Sequence, residues 1–157
     1  MQVIRRVVGA VINLSHIVTG QITPVALMEV AVVPLSKLAA GVFGAVYTLT
    51  GLVGFAVTGF SGTGTLIVFD LSVLHNIVHL AIGLAGLAAF ASGPAASRMY
   101  AQVFGAALAV IAVLGIVVSN PLGLLPIGGY DVFLHAASAL VLLYVGFAGS
   151  SRETAAA

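Results

Sequence analysis

Long apolar runs broken by short polar clusters set the pattern of the chain. Four runs, at about 38–58, 69–91, 100–119 and 131–149, each approach the roughly 20 mainly apolar residues a helix needs to cross a bilayer. The Gly/Ser/Thr cluster from Phe60 to Thr65 separates the first two, and Ser92-Gly93-Pro94 separates the second from the third. Asn120-Pro121 through Gly128-Gly129 separates the last two. The runs are continuous, whereas strands of a membrane barrel alternate over about ten residues. The pattern predicts an all-α membrane protein, a four-transmembrane-helix bundle.

The second pair of runs repeats the first. At an offset of 61, Val42-Phe43-Gly44-Ala45 matches Val103-Phe104-Gly105-Ala106, Gly54 matches Gly115, and Asp70 matches Asp131. With one residue absorbed, Leu74-His75 matches Leu134-His135. Apolar identities arise easily by chance, so the Asp and Leu-His matches carry the argument for a duplicated helical hairpin. Two hairpins running in the same sense are related by an axis along the membrane normal, as in parallel repeats. His75 and His135 are then expected at similar depth, roughly one turn inside the outer face. His75, His79, Gly83 and Gly86 share one helical face, and so do Asp131, His135, Ser138, Leu142 and Gly146. Ionisable groups within spans face the bundle interior, and small residues let another helix approach them. The expected polar cluster therefore comprises Asp70, His75, Asn76, His79, Asp131 and His135, with Gly83, Gly86 and Gly146 as packing positions.

Composition agrees with lipid as the solvent. Hydrophobic residues make up 61% and charged residues 6%, against roughly 25% charged in soluble domains. The absence of cysteine excludes disulfides and thiolate chemistry, and a formal charge of +1 offers no basic face for nucleic acid. Lys37, Arg98 and Arg152 fall on one side of a four-span topology, while loops 59–68 and 120–130 hold no Lys or Arg. The positive-inside rule then places both termini in the cytoplasm and both loops outside. Residues 1–37, with Arg5-Arg6 ahead of Val7 to Val18, read as an N-terminal extension. It is either an amphipathic segment on the inner leaflet or upstream sequence preceding a start at Met28. His16 and Glu29 carry no functional weight. Residues 150–157 form a cytoplasmic tail.

Leu74-His75-Asn76-Ile77-Val78-His79-Leu80, followed by Gly83 and Gly86-Leu87, resembles a family signature. That signature, Leu-His-Asn-x-x-His-Leu-x-x-Gly-x-x-Gly-Leu, belongs to the domain of unknown function 4383 family. Asp131-x-x-Leu134-His135 resembles the family's later Asp-Asn-x-Leu-His motif, with Val132 where Asn is usual. The resemblance covers about residues 38–149. It implies a multi-pass protein of the bacterial cytoplasmic (inner) membrane, without an established activity.

The polar residues admit three functions. Imidazoles bonded to Asp or to backbone carbonyls can fix helix rotation and register, which makes a non-enzymatic structural or accessory membrane component. Alternatively, His75 and His79 at i, i+4 with His135 can ligate a metal ion, with Asp70 or Asp131 completing the site or orienting a ligand. Haem would instead take His75 and His135 as an axial pair. A small-solute or proton transporter is the third, since His and Asp chains mark such paths, although the inner halves of the spans hold almost no ionisable group. No catalytic residue stands out: Gly62-Thr63-Gly64 lacks the lysine of a phosphate loop, and no serine has a matched base. The expected partners are the lipid bilayer and, through glycine stripes, a second copy or another membrane protein.

Overall fold

The computed structural model describes residues 33–148. The readings made for the segment before residue 33, Met28 included, and for the tail at 150–157 lie outside the described residues. Four helices account for most of the rest: α1 (Leu35–Thr58), α2 (Val73–Ser92), α3 (Pro94–Val117) and α4 (Tyr130–Ala148). All four are long and apolar enough to span a membrane. At 1.5 Å per residue the shortest reaches about 28 Å and the longest about 36 Å, which brackets the roughly 30 Å hydrocarbon core. The fold is a four-helix membrane bundle. Helix α1 packs along α2 and α3 along α4, so each half of the chain is one helical hairpin.

Glycine makes the first hairpin close. A β-carbon placed on Gly44 would stand 2.6 Å from Leu87 N, and one on Gly86 would stand 2.8 Å from Gly44 Cα. The two backbones touch directly. In lipid no hydrophobic drive pulls helices together, so this backbone contact and its dispersion energy supply much of the association. A core of Ala39, Ala40, Tyr47, Ile82, Tyr100, Leu108 and Leu142 fills the remaining interior. Leucine and valine on the outer faces, such as Leu49, Leu84, Val113 and Leu140, are exposed as lipid-facing residues must be.

Helix starts differ from the sequence reading in three places. Pro34 sets α1 going at Leu35, and Pro94 opens α3 immediately after Gly93 rather than near residue 100. Proline's fixed φ suits the first helical turn, so here it initiates a helix more than it separates two. Gly93, at φ +110°, is the whole joint between α2 and α3. The third difference bears on the site. Residues 69–72, expected as the first turn of the second span, form a strand instead. Antiparallel β1 (Thr63–Leu66) pairs with β2 (Phe69–Ser72), from Thr63↔Ser72 to Leu66↔Phe69. The two-residue turn between them places Ile67 at φ 61°. This small hairpin adds to the helical fold and sits at the same end of the bundle as the α3–α4 loop, to which Ser72 Oγ is tied by a 2.7 Å bond to the Leu124 carbonyl. Lys37 and Arg98 mark the other end: the Lys37 ammonium lies over the Phe90 ring, and Arg98 Nε donates to the Gly146 carbonyl.

Candidate polar site in the membrane domain

Ser72 is the residue from which the site is built. Its Oγ accepts the His75 backbone N–H at 3.2 Å, capping α2, while its hydroxyl donates to Leu124. One side chain thus fixes both the start of α2 and the seat of the α3–α4 loop above it. His75 follows in the first turn and His79 one turn deeper, with ring centroids 4.4 Å apart. From α4, His135 comes within 6.1 Å of His75, centroid to centroid. One ligating atom from each of His75, His79 and His135 can be chosen so that all lie within 4.8 Å of one another.

Asp131 completes the group. It stands in the first turn of α4, one turn before His135, and its Oδ2 lies 3.3 Å from His135 Nδ1 and 3.6 Å from His75 Nε2. Both distances are longer than an ordinary N–H···O bond, so the carboxyl touches both rings without closing a good hydrogen bond. Exposure is 2% for His75, 3% for His79, 3% for His135 and 4% for Asp131. Both nitrogens of His75 and of His79, Nδ1 of His135 and Oδ2 of Asp131 have no hydrogen-bond partner among the described residues. The carbonyls of Asp70 and Pro126 face the His75 ring but fall outside bonding geometry.

Asp70 takes no part in the cluster. It lies on β2, where its exposed carboxylate accepts a 2.8 Å bond from the Thr65 hydroxyl. Its expected position at a helix start fails because the strand occupies those residues. The side chain instead lines a polar cavity of about 370 Å³ at the loop end, with Ser119, Asn120, Pro126 and Tyr130. Asn76 also turns away from the imidazoles. It is fully buried against α1, donating to Thr58 Oγ1 at 2.8 Å above the bare backbone of Gly54. Gly83 lies on Thr48 of α1, Gly86 on Gly44, and Gly146 on Gln102 of α3, so all three glycines are helix contacts. Val132 packs against the Gly115 position of α3.

Two site residues were not singled out from the sequence. Tyr47 meets the His79 ring edge-on at 5.2 Å, and Thr58 is the partner of Asn76. Tyr47, Gly51, Gly54 and Thr58 follow helical steps of four, three and four along the buried face of α1. That stripe was the available signal.

Four apolar spans that enclose three histidines and an aspartate define an integral membrane protein with a polar site sunk in its bundle. The family model for a domain of unknown function, DUF4383, matches residues 37–148, and the chain belongs to that family. No curated protein and no solved structure matches it.

Proposed function

We propose that the protein binds a transition-metal ion inside the bundle through His75, His79 and His135. Asp131 serves as the fourth ligand or as the carboxylate that orients the rings. One observation carries this reading: three buried imidazoles from two helices converge, their donor atoms within 4.8 Å, with nitrogens that no described residue satisfies. A buried polar group left unbonded costs roughly 1–3 kcal/mol. An apolar bundle that gathers several such groups at one point gains most from a cation that satisfies all of them together. Around a tetrahedral ion with ligand distances near 2.0–2.1 Å, nitrogens stand about 3.4 Å apart. The rings therefore swing inward by about 1 Å, within the reach of small side-chain rotations.

Donor chemistry selects the ion. Imidazole suits zinc, copper, nickel and iron, whereas magnesium and calcium take oxygen. Haem is less well supported, because the His75 and His135 nitrogens that would be its axial pair both lie against the Asp131 carboxyl, at 3.6 and 3.3 Å. An ion held by α2 and α4 would cross-link the two helical hairpins, so binding would add cohesion as well. The polar cavity beside Asp70 opens at the loop end, which the positive-inside rule assigns to the outer face, and Pro126 in its lining also faces the His75 ring.

A second reading rests on Asp131 alone. Its contact with both imidazoles also suits a structural lock between the hairpins, in an accessory membrane component. Elemental analysis of the purified protein, with cobalt substitution read by visible absorption, separates the two. Near one metal per chain, lost in His79→Ala and His135→Ala, is the expected result. Metal-free protein that gives no cobalt spectrum at saturating cobalt would overturn the binding reading and leave the lock.

A further inference from the structure

The polar cavity at the loop end has a chemistry of its own. Three parts of the chain wall it: Asp70 of the β-hairpin, Ser119 and Asn120 just past α3, and Gly128 to Tyr130 at the entry to α4. Its volume of about 370 Å³ falls within the range of about 300–1,000 Å³ usual for small-molecule sites. Charge is one-sided here. Segments 59–72 and 118–131 contain two aspartates and no lysine or arginine. Asp131 is buried among the imidazoles, so Asp70 is the exposed charge of this end. The Thr65 hydroxyl donates to its Oδ1 at 2.8 Å, which holds the carboxylate in place and leaves Oδ2 open. Helix α3 ends at Val117, two residues before Ser119, and the unpaired carbonyls of its last turn add negative potential beside the cavity. The opposite potential at the start of α4 is met by Asp131 in that helix's own first turn.

We propose that this cavity binds a primary ammonium group, carried by a small free amine or by the ethanolamine headgroup of a lipid. The sign of the site selects a cation. Its single carboxylate selects against a bare metal ion, since calcium takes about six to eight oxygen ligands and magnesium is held by carboxylates together with phosphates. The acceptors then select among organic cations. A primary ammonium donates three hydrogen bonds, and Asp70 Oδ2, the Asn120 amide oxygen and the Ser119 hydroxyl can accept them. A quaternary ammonium donates none and depends on a cage of aromatic rings, whereas here Tyr130 alone lines the cavity. Tyr130 is also 65% exposed at the first residue of α4, where interfacial tyrosines sit, so a lipid headgroup reaches the same level. The proposal stands apart from the metal reading, because the Asp70 carboxylate takes no part in the imidazole cluster.

The test is calorimetric titration of ethanolamine into the full chain in phosphatidylcholine nanodiscs, with EDTA present. Saturable binding in the micromolar to millimolar range is expected, with choline about tenfold weaker and uncharged ethylene glycol without effect. Asp70→Asn should weaken ethanolamine about tenfold or more, the worth of a hydrogen bond to a charged group. Asn120→Ala, on the opposite wall, should weaken it several-fold, and an unchanged SDS unfolding midpoint checks that each variant folds. Added phosphatidylethanolamine separates the two sources: loss of the ethanolamine signal assigns the lipid headgroup, and an unaltered signal assigns the free amine. Absence of saturable binding, equal affinity for choline, or full binding in Asp70→Asn overturns the proposal. Calcium binding of equal strength would make the cavity a metal-ion site and overturn it too.

Discussion

Gly83→Ala isolates the contact that sets the first hairpin. A β-carbon at Gly83 would strike Thr48 N and Oγ1 and stand 2.8 Å from Thr48 Cα. Carbon atoms rest at about 3.5–4.0 Å, so α1 and α2 must part by about 1 Å here. Thr48 cannot yield on its own, because its hydroxyl is bonded to the Gly44 carbonyl at 2.7 Å and the nearest atoms belong to the backbone. Overpacking of this kind costs about 1–3 kcal/mol, and a rigid obstacle puts the value near the top. Alanine returns up to about 1 kcal/mol through helix propensity, leaving a net loss of about 1–2 kcal/mol. Gly41→Ala supplies the comparison: its β-carbon would meet only the edge of the Phe90 ring, at 3.0 Å, and a ring can swing aside. That variant should be neutral or slightly stabilised. Reversible unfolding by SDS titration in mild detergent measures both, the Gly83 variant losing roughly 5- to 30-fold in its folded-to-unfolded ratio. Equal midpoints and slopes for the two variants would show that backbone contact at Gly83 does not hold the hairpin, and the packing argument would fail.

Three further perturbations address the site. Asp131→Asn keeps shape while removing the charge beside His75 and His135, so zinc affinity measured by chelator competition should fall about 10–100-fold. An unchanged affinity would remove Asp131 from the metal's surroundings. Asp70→Asn should slow zinc association in stopped-flow and flatten its salt dependence, with the equilibrium affinity nearly unchanged, because a carboxylate in the polar cavity attracts cations without touching the imidazoles. An unaltered on-rate would exclude that cavity as the loading route. Thr58→Val deletes the acceptor of the buried Asn76 amide and should cost about 0.6–1.7 kcal/mol in the same SDS titration, with metal binding intact. A loss of metal binding there would mean that Asn76 positions the histidines.

Much of this was legible because a bilayer allows few solutions. Continuous apolar runs of about 20 residues have to be helices, and histidines cannot face lipid, so span number and the inward face of His75, His79 and His135 follow from spacing. The extramembrane end offered no such constraint. Phe69-Asp70-Leu71-Ser72 continues into the apolar run of the second span and reads as its first turn, and the Ile67-Val68 turn lacks the Asn-Gly signal that announces a two-residue hairpin. Ile67 nevertheless adopts a positive φ, a conformation that β-branched residues rarely take. Tyr47 stayed hidden for a different reason. One aromatic residue in an apolar span carries no periodic contrast, and its meaning comes only from the His79 ring that the second helix brings beside it.

The same hairpin explains why two matched aspartates have separate fates. In the first half, residues 69–72 pair with β1, so α2 begins at Val73 and Asp70 stays on a strand in contact with water. In the second half, Gly128 and Gly129 release the chain directly into a helix that begins at Tyr130. Asp131 therefore falls inside the first turn, buried, with His135 one turn further on. The imidazoles diverge as well. His75 has His135 as its counterpart, but the position matching His79 is Ala139, small and buried, which leaves room for a third ring from α2 alone. A symmetric arrangement would have put four imidazoles and two carboxyls around one axis, more charge and bulk than an apolar bundle can enclose. Asymmetry reduces the set to three imidazoles and one carboxyl, the number that fills a tetrahedral coordination sphere. The metal site proposed above therefore depends on the difference between the two helix entries, which begins with the four residues of β2.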